Sequence, residues 1–194
     1  LRIKPTEFMF SLSEPGSGIN YCLRSTQFES ASESLLESVQ KIIFELNFLT
    51  LQFKMTNVIF VEPHYKLIPN NLFDYRQRKS LFNFSAMEVP THILVDSIPK
   101  YKVNNLYSVD AELHGFLTRS LYNPQFQNHI TPLIHLLEGR AKTISLHAKL
   151  YVNIHDNLMD IIGFSEEKLL LAVSYENLSA QEKSYYILKI WESL

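Results

Sequence analysis

Residues 148–164 read AKLYVNIHDNLMDIIGF. Leu150, Val152 and Ile154 alternate with Tyr151 and Asn153; a second apolar run from Leu158 to Phe164 follows the polar break His155-Asp156-Asn157. Alternation at period two marks a strand with one buried face. The stretch therefore predicts two antiparallel strands around a short turn, and the break can be a plain turn, a ligand site or the remains of one. KLLLAVSYE, Lys168 to Glu176, adds a third strand to the meander.

Ser179 and Glu182 then have the spacing of a capping box, in which each side chain satisfies a backbone donor at a helix start. The helix they predict carries Ile187, Ile190, Trp191 and Leu194 on one face. Toward the amino terminus the same theme recurs. Phe8, Phe10 and Leu12 alternate, EPGSG turns the chain and INYCLRSTQF resumes an extended pattern, which together predict a hairpin. Ser30 and Glu33 have capping-box spacing, and Leu35, Val39, Ile42, Leu46 and Leu49 recur at helical spacing.

Between these ends, NVIFVEP reads as a strand buried on both faces. HYKLIP reads as a connection, and NNLFDYRQRKSLFNF as one helix capped by Asn70 or Asn71. THILVDSI and NNLYSVD are strand candidates, and DAELHGFLTRSLY is a helix despite Gly115. In NHITPLIHLLEGR, Thr131 suits a cap, Pro132 the first turn and Gly139 the exit. The expected order is β-β-α-β-α-β-β-α-α followed by β-β-β-α. It divides the chain into a first lobe, residues 1–121, and a second, partial lobe, residues 122–194, with the break lying between Leu121 and Thr143.

Composition narrows the function classes. Eighteen basic and twenty acidic side chains give a net charge of −2, which lacks the basic footprint of a nucleic-acid-binding domain. A mean hydropathy of −0.05 is that of a folded globular chain. Cys22 is the single cysteine, so no internal disulfide framework exists and a reducing compartment is the default. No run reaches the roughly 18 apolar residues of a membrane-spanning helix. The expected compartment is the cytoplasm.

The residues resemble a known superfamily at several points. VIFVEPHYKLIPNNLF, Val58 to Phe73, is similar to the strand-turn-helix segment of actin-like and chaperone-type ATPases. YVNIHDNLMDIIGFSEEKLLLAVSYE resembles the first hairpin of their second lobe, and that of the pilus-assembly protein sharing the fold. More closely, the whole chain resembles an uncharacterised bacterial family, domain of unknown function 3822. The supporting segments are Pro69 to Leu72-Phe73, NLYSV, HITPLIHLL, KLLLAVSYE and YYILKIWESL. The resemblance implies an α/β, two-lobed actin-like ATPase (ribonuclease H-like) fold with mixed sheets. It also implies a second lobe that would continue past Leu194, leaving the strand through Leu146 to Ile154 with an exposed edge.

In active members of that superfamily the turn of this hairpin is glycine-rich, because the backbone must approach nucleotide phosphates. An acidic residue just before it helps to arrange the metal. Here Asn153 stands near the acidic position, and His155, Asp156 and Asn157 supply no glycine. The first-lobe counterpart is read as SEPGSG, which keeps Gly16 and Gly18 but has Glu14 and Pro15 in place of an Asp-x-Gly start. Pro15 also lacks an N–H donor. The resemblance therefore implies two degenerate phosphate loops, no cofactor and no catalytic residue.

Other constellations carry less. His147 and His155 are about 26 Å apart along a strand, and His129 and His135 diverge around a helix, so neither pair can share an ion and no metal is expected. His155 and Asp156, as strand neighbours, point to opposite faces. RQRK, Arg76 to Lys79, with Tyr75, Phe82 and Phe84, could hold single-stranded nucleic acid, but a solvated helix face explains it equally. His64 reads as solvated and Cys22 as structural. The expected function is a non-catalytic scaffold acting through an unidentified protein partner, with a homodimer through the strand edge as one assembly. The alternative is a divergent nucleotide-binding ATPase.

Overall fold

The computed structural model describes residues 1–14, 21–28, 33–84, 92–141, 148–166 and 168–194. The apolar run after Asn57 forms β4 (Thr56–Phe60), a central strand of a five-stranded sheet ordered β3-β2-β1-β4-β8. The other strands of the sheet are β1 (Arg2–Ile3), β2 (Glu7–Ser13), β3 (Tyr21–Gln27) and β8 (Pro124–Asn128). β1, β4 and β8 run parallel, while β2 and β3 are antiparallel neighbours, so the sheet is mixed. The opening hairpin is thus present, with the short β1 added before it.

Helix α1 (Leu35–Glu45) lays Val39, Ile42 and Ile43 against Ile3, Phe8, Phe10, Val58 and Phe60 of this sheet. Leu35 and Leu46 pack at the margin of the same cluster. Its cap differs from the expected one. Ser34 Oγ accepts from Glu37 N at 3.2 Å, and Glu37 Oε2 accepts from Ser34 N at 2.9 Å. The apolar stripe starts at Leu35, directly after Ser34, which selects the later of two consecutive Ser-x-x-Glu spacings. Ser30 lies outside the described residues.

The segment from Tyr65 to Asn83 departs most from expectation. The supposed connection HYKLIP contains β5 (Tyr65–Pro69), which pairs antiparallel with β7 (Val103–Ser108), itself paired with β6 (Ile93–Ile98). Instead of one helix capped by Asn70 or Asn71, two 3-10 turns precede a short α2 (Arg78–Asn83). Phe73 and Asp74 are extended, and Asp74 Oδ1 accepts from Arg76 N at 2.9 Å to start a new turn. A side chain that bonds its own backbone in this way competes with helix.

Helix α3 (Ala111–Ser120) is capped by Asp110, and β8 follows before α4 (Ile130–Ala141). The start of α4 is bonded by Asn128, not by Thr131: Asn128 Oδ1 accepts from Ile130 N at 3.0 Å. Thr131 lies within the helix and donates its hydroxyl to Asp96 at 2.8 Å, and Asp96 Oδ2 also accepts from Asn128 N at 2.9 Å. Pro132 does occupy the first turn, but the helix runs past Gly139 to Ala141.

The third sheet is the expected meander, with β10 (Leu158–Ser165) between β9 (Lys149–His155) and β11 (Lys168–Glu176). Ile130, Ile134 and Leu137 of α4 pack on Ile162, Phe164 and Ala172. On the opposite face lies α5 (Ala180–Ser193), with its Ser179–Glu182 capping box as expected and Tyr186 stacked on Tyr175 at 4.4 Å. Every residue from Leu158 to Phe164 is therefore buried.

Two stability measurements follow from these joints. Ser34→Ala removes the α1 cap and is expected to cost about 1 kcal/mol in urea denaturation. Asp96 is buried, which pushes its carboxyl from 3.8 up to about 6, although Thr131 and Asn128 N oppose the shift. Because the folded value is the higher one, this contribution to stability is fully present below pH 4 and is lost as pH rises through 6. Asp96→Asn should gain on the wild type by up to about 3 kcal/mol between pH 4 and 7. A gap that does not change with pH would contradict the assignment.

Candidate functional site

Register alone aligns three polar side chains across the third sheet. Asp160 on β10 pairs with Asn153 on β9 and Ser174 on β11. His155, at the end of β9, is a diagonal neighbour of Asp160. All lie on the side facing α4, and the helix brings His129 from its start. The result is one carboxylate held by four donors. Asp160 Oδ1 accepts from His129 Nε2 at 3.1 Å and Ser174 Oγ at 2.6 Å. Asp160 Oδ2 accepts from His155 Nε2 at 3.1 Å and Asn153 Nδ2 at 3.0 Å.

The Asp160 side chain has no exposure. Burial pushes its carboxyl up, but the hydrogen bonds from His129 and His155 outweigh burial and hold it far below the carboxylate range. Arg2 reaches His155 Nδ1 at 3.4 Å. A guanidinium can only donate, so Nδ1 is the acceptor and the ring proton of His155 sits on Nε2, aimed at Asp160. His129 is placed just as firmly: its N–H donates to Phe60 O at 2.9 Å, and Asn128 Nδ2 donates to Glu62 O at 2.9 Å.

Asp156 takes a left-handed backbone, φ 50°, a conformation more natural to glycine. Lys4, in the β1–β2 turn, donates to its Oδ2 at 2.5 Å and pairs with Glu7 at 2.7 Å. The Lys4 hydrogen bond is the main reason the Asp156 carboxyl lies below its ordinary value. The turn meeting Asp156 is thus Lys4-Pro5-Thr6. Glu14 follows the other end of β2, about 23 Å of strand away, and is exposed. Gly16 and Gly18 lie outside the described residues, as do Pro15 and His147.

Of the positions singled out in the sequence, the structure brings together Asn153, His155 and Asp156. Pairwise spacing within single elements missed His129, Asp160, Ser174, Arg2 and Lys4. A two-residue hairpin turn does carry a signal for Asp160, since it sets residue 153 opposite 160. Nothing local signals His129. The chemistry differs from a nucleophilic triad, in which the imidazole bridges hydroxyl and carboxylate. Here Asp160 is central and the Ser174 hydroxyl donates to it, so the hydroxyl has no base. Elsewhere, His64 bonds Glu62 at 2.9 Å and is largely exposed, and the Arg78 guanidinium lies over the Tyr75 ring at 4.4 Å.

Comparison with known proteins agrees with this architecture. A protein with actin-like ATPase fold and unknown function from Bacteroides thetaiotaomicron VPI-5482 superposes with a TM-score of 0.88 at 24% identity, over 99% of this chain and 74% of its own. A chain of the PilM–PilN type IV pilus biogenesis complex matches with a TM-score of 0.51 at 11% identity, over 98% of this chain and 64% of its own. No curated protein matches the sequence. The profile described as protein of unknown function (DUF3822) matches residues 1–194, and the chain belongs to that family.

Proposed function

We propose that the protein is a non-catalytic actin-like scaffold that works through protein–protein contacts. The observation that carries this reading is the Lys4–Asp156 ion pair, 2.5 Å long, between the β1–β2 and β9–β10 turns. In active members of the superfamily the turn at the β9–β10 place cradles phosphates. Here that turn supplies a carboxylate, which repels phosphate, and the cation of the other is already shared between Glu7 and Asp156. The PilM–PilN complex adds an example of the fold engaged with a protein partner.

A divergent nucleotide-binding ATPase is the second reading. Its support is a cleft of about 600 Å³ at the carboxyl ends of β1 and β4, lined by Lys4, Glu62, Asp110 and Glu112 above Ile3 and Phe60. Ligands of open α/β sheets favour that place. Three acidic side chains against one occupied lysine make it a poor phosphate site.

The remaining parts of the reading are a bacterial, cytoplasmic setting and a division into lobes of residues 1–121 and 122–194. β8 crosses that division to complete the first sheet. Among the described residues no helix is long and apolar enough to cross a membrane. A second copy of the chain is the proposed occupant of the β9 edge, where Val152 and Ile154 are 37% and 55% exposed. Antiparallel pairing about a two-fold axis would set Val152 against its own copy and Leu150 against Ile154.

Calorimetry and thermal shift with Mg-ATP are expected to show no binding, where ligand at 100 times its Kd would stabilise by about 2.7 kcal/mol. Asp156→Gly alone should not create a site. Micromolar binding by the unmodified chain would overturn the scaffold reading in favour of the second. For the edge, light scattering over a concentration series should show a dimer that Val152→Lys dissociates; a strict monomer removes that proposal.

A further inference from the structure

We propose that His129, His155 and Asp160 form a binding site for one divalent first-row transition-metal ion, with zinc the ion best suited to the ligands. The site would clamp the start of α4 to the β9–β10 hairpin. It rests on the geometry of these residues and not on the scaffold reading.

The ligand atoms of the three residues all lie within 4.8 Å of one another. Around a tetrahedral zinc with bonds of about 2.0–2.1 Å, neighbouring ligand atoms stand roughly 3.4 Å apart. Each imidazole lies 3.1 Å from its own oxygen of Asp160, Oδ1 for His129 and Oδ2 for His155, close to that length already. Drawing the two Nε2 atoms together needs less than about 1 Å of movement by each ring. Two imidazoles and a carboxylate are a set that suits zinc and related ions. Asn153 and Ser174 would stay on the carboxylate as the outer hydrogen bonds that orient a metal ligand.

Metal binding requires each Nε2 to give up its proton, which a neutral imidazole does by moving it to Nδ1. The two rings are unequal in this respect. His155 Nδ1 has Asp156 Oδ2 at 3.8 Å, and the ring has to close part of that gap, with Arg2 swinging aside, for the carboxylate to accept the new N–H. Among the described residues His129 Nδ1 is buried without a hydrogen-bond partner, so its N–H would stay unpaired and weaken the site. The route in passes His155, whose side chain is 18% exposed, because His129 and Asp160 are covered.

The test uses the whole chain after chelator treatment, titrated with Zn²⁺ by calorimetry and with Co²⁺ by visible absorption. One equivalent should bind, Co²⁺ should give the d–d bands of a four-coordinate site, and Zn²⁺ should raise Tm by several degrees. His129→Gln and His155→Gln should each abolish the one-equivalent isotherm, and Asp156→Ala should weaken it about tenfold. Since Asp160→Asn can fail to fold, His155→Gln at the partly exposed rim is the deciding variant, with circular dichroism confirming its fold. His92→Gln, in the separate His92–His114 contact of 3.1 Å, should bind as the wild type does. Absence of binding, or binding that survives His155→Gln or fails in His92→Gln, would overturn the proposal.

Discussion

Asp160 sits within the run of β10, Leu158 to Phe164, in which every residue is buried. An isolated carboxylate there would cost several kcal/mol, so the surrounding structure has to supply donors from all sides. The strand neighbours give Asn153 and Ser174, the hairpin gives His155 and the start of α4 gives His129. They come from β9, β11 and the start of α4, so satisfying one charge on β10 fixes the register of three strands and the position of a helix. A one-residue slip of β9 would move Asn153 and His155 to the opposite face. The carboxylate thus makes alternative pairings expensive, which apolar contacts among Ile162, Phe164 and Ile134 alone would do less sharply.

The second polar joint has the same logic with a different outcome. Asn128 uses its backbone N–H, its side-chain amide and its side-chain oxygen on Asp96, Glu62 and Ile130. That chain of bonds ties the second sheet to the end of β8 and aims His129 toward the third sheet. Among the described residues no imidazole or lysine is bonded to Asp96, so burial dominates and its carboxyl rises, whereas that of Asp160 falls. Two buried aspartates in one molecule therefore differ in their pH response because of their donors.

Local signals made α1, α5 and the β9–β10–β11 meander legible. The α5 capping box stands alone, whereas Ser30 and Ser34 each precede a glutamate by three residues, and only the start of the apolar stripe separates them. PQFQN was not read as β8 because its amide side chains carry no alternation; it is a strand through its ladder with β4. HYKLIP was read as a connection, although Pro69 ends β5, an edge strand where a missing donor is tolerated. The hairpin half of the site was visible from alternation around the turn. Lys4, Arg2 and His129 were not, because their positions follow from how the first sheet and α4 meet the third sheet.

The order of strands in the first sheet has a consequence for synthesis. β4 is flanked by β1, already made when it emerges, and by β8, whose residues follow the whole of the second sheet and α3. At ordinary elongation rates roughly 3 to 14 s separate the two strands. During that interval the nascent chain would present Val58, Ile59 and Phe60 along an unpaired edge, an invitation to pairing with other chains. The amide-rich β8, unremarkable as a sequence, is the segment that closes this window, and His129 arrives with it. The sheet edge and the imidazole for Asp160 are therefore delivered in one step, after the second sheet and α3.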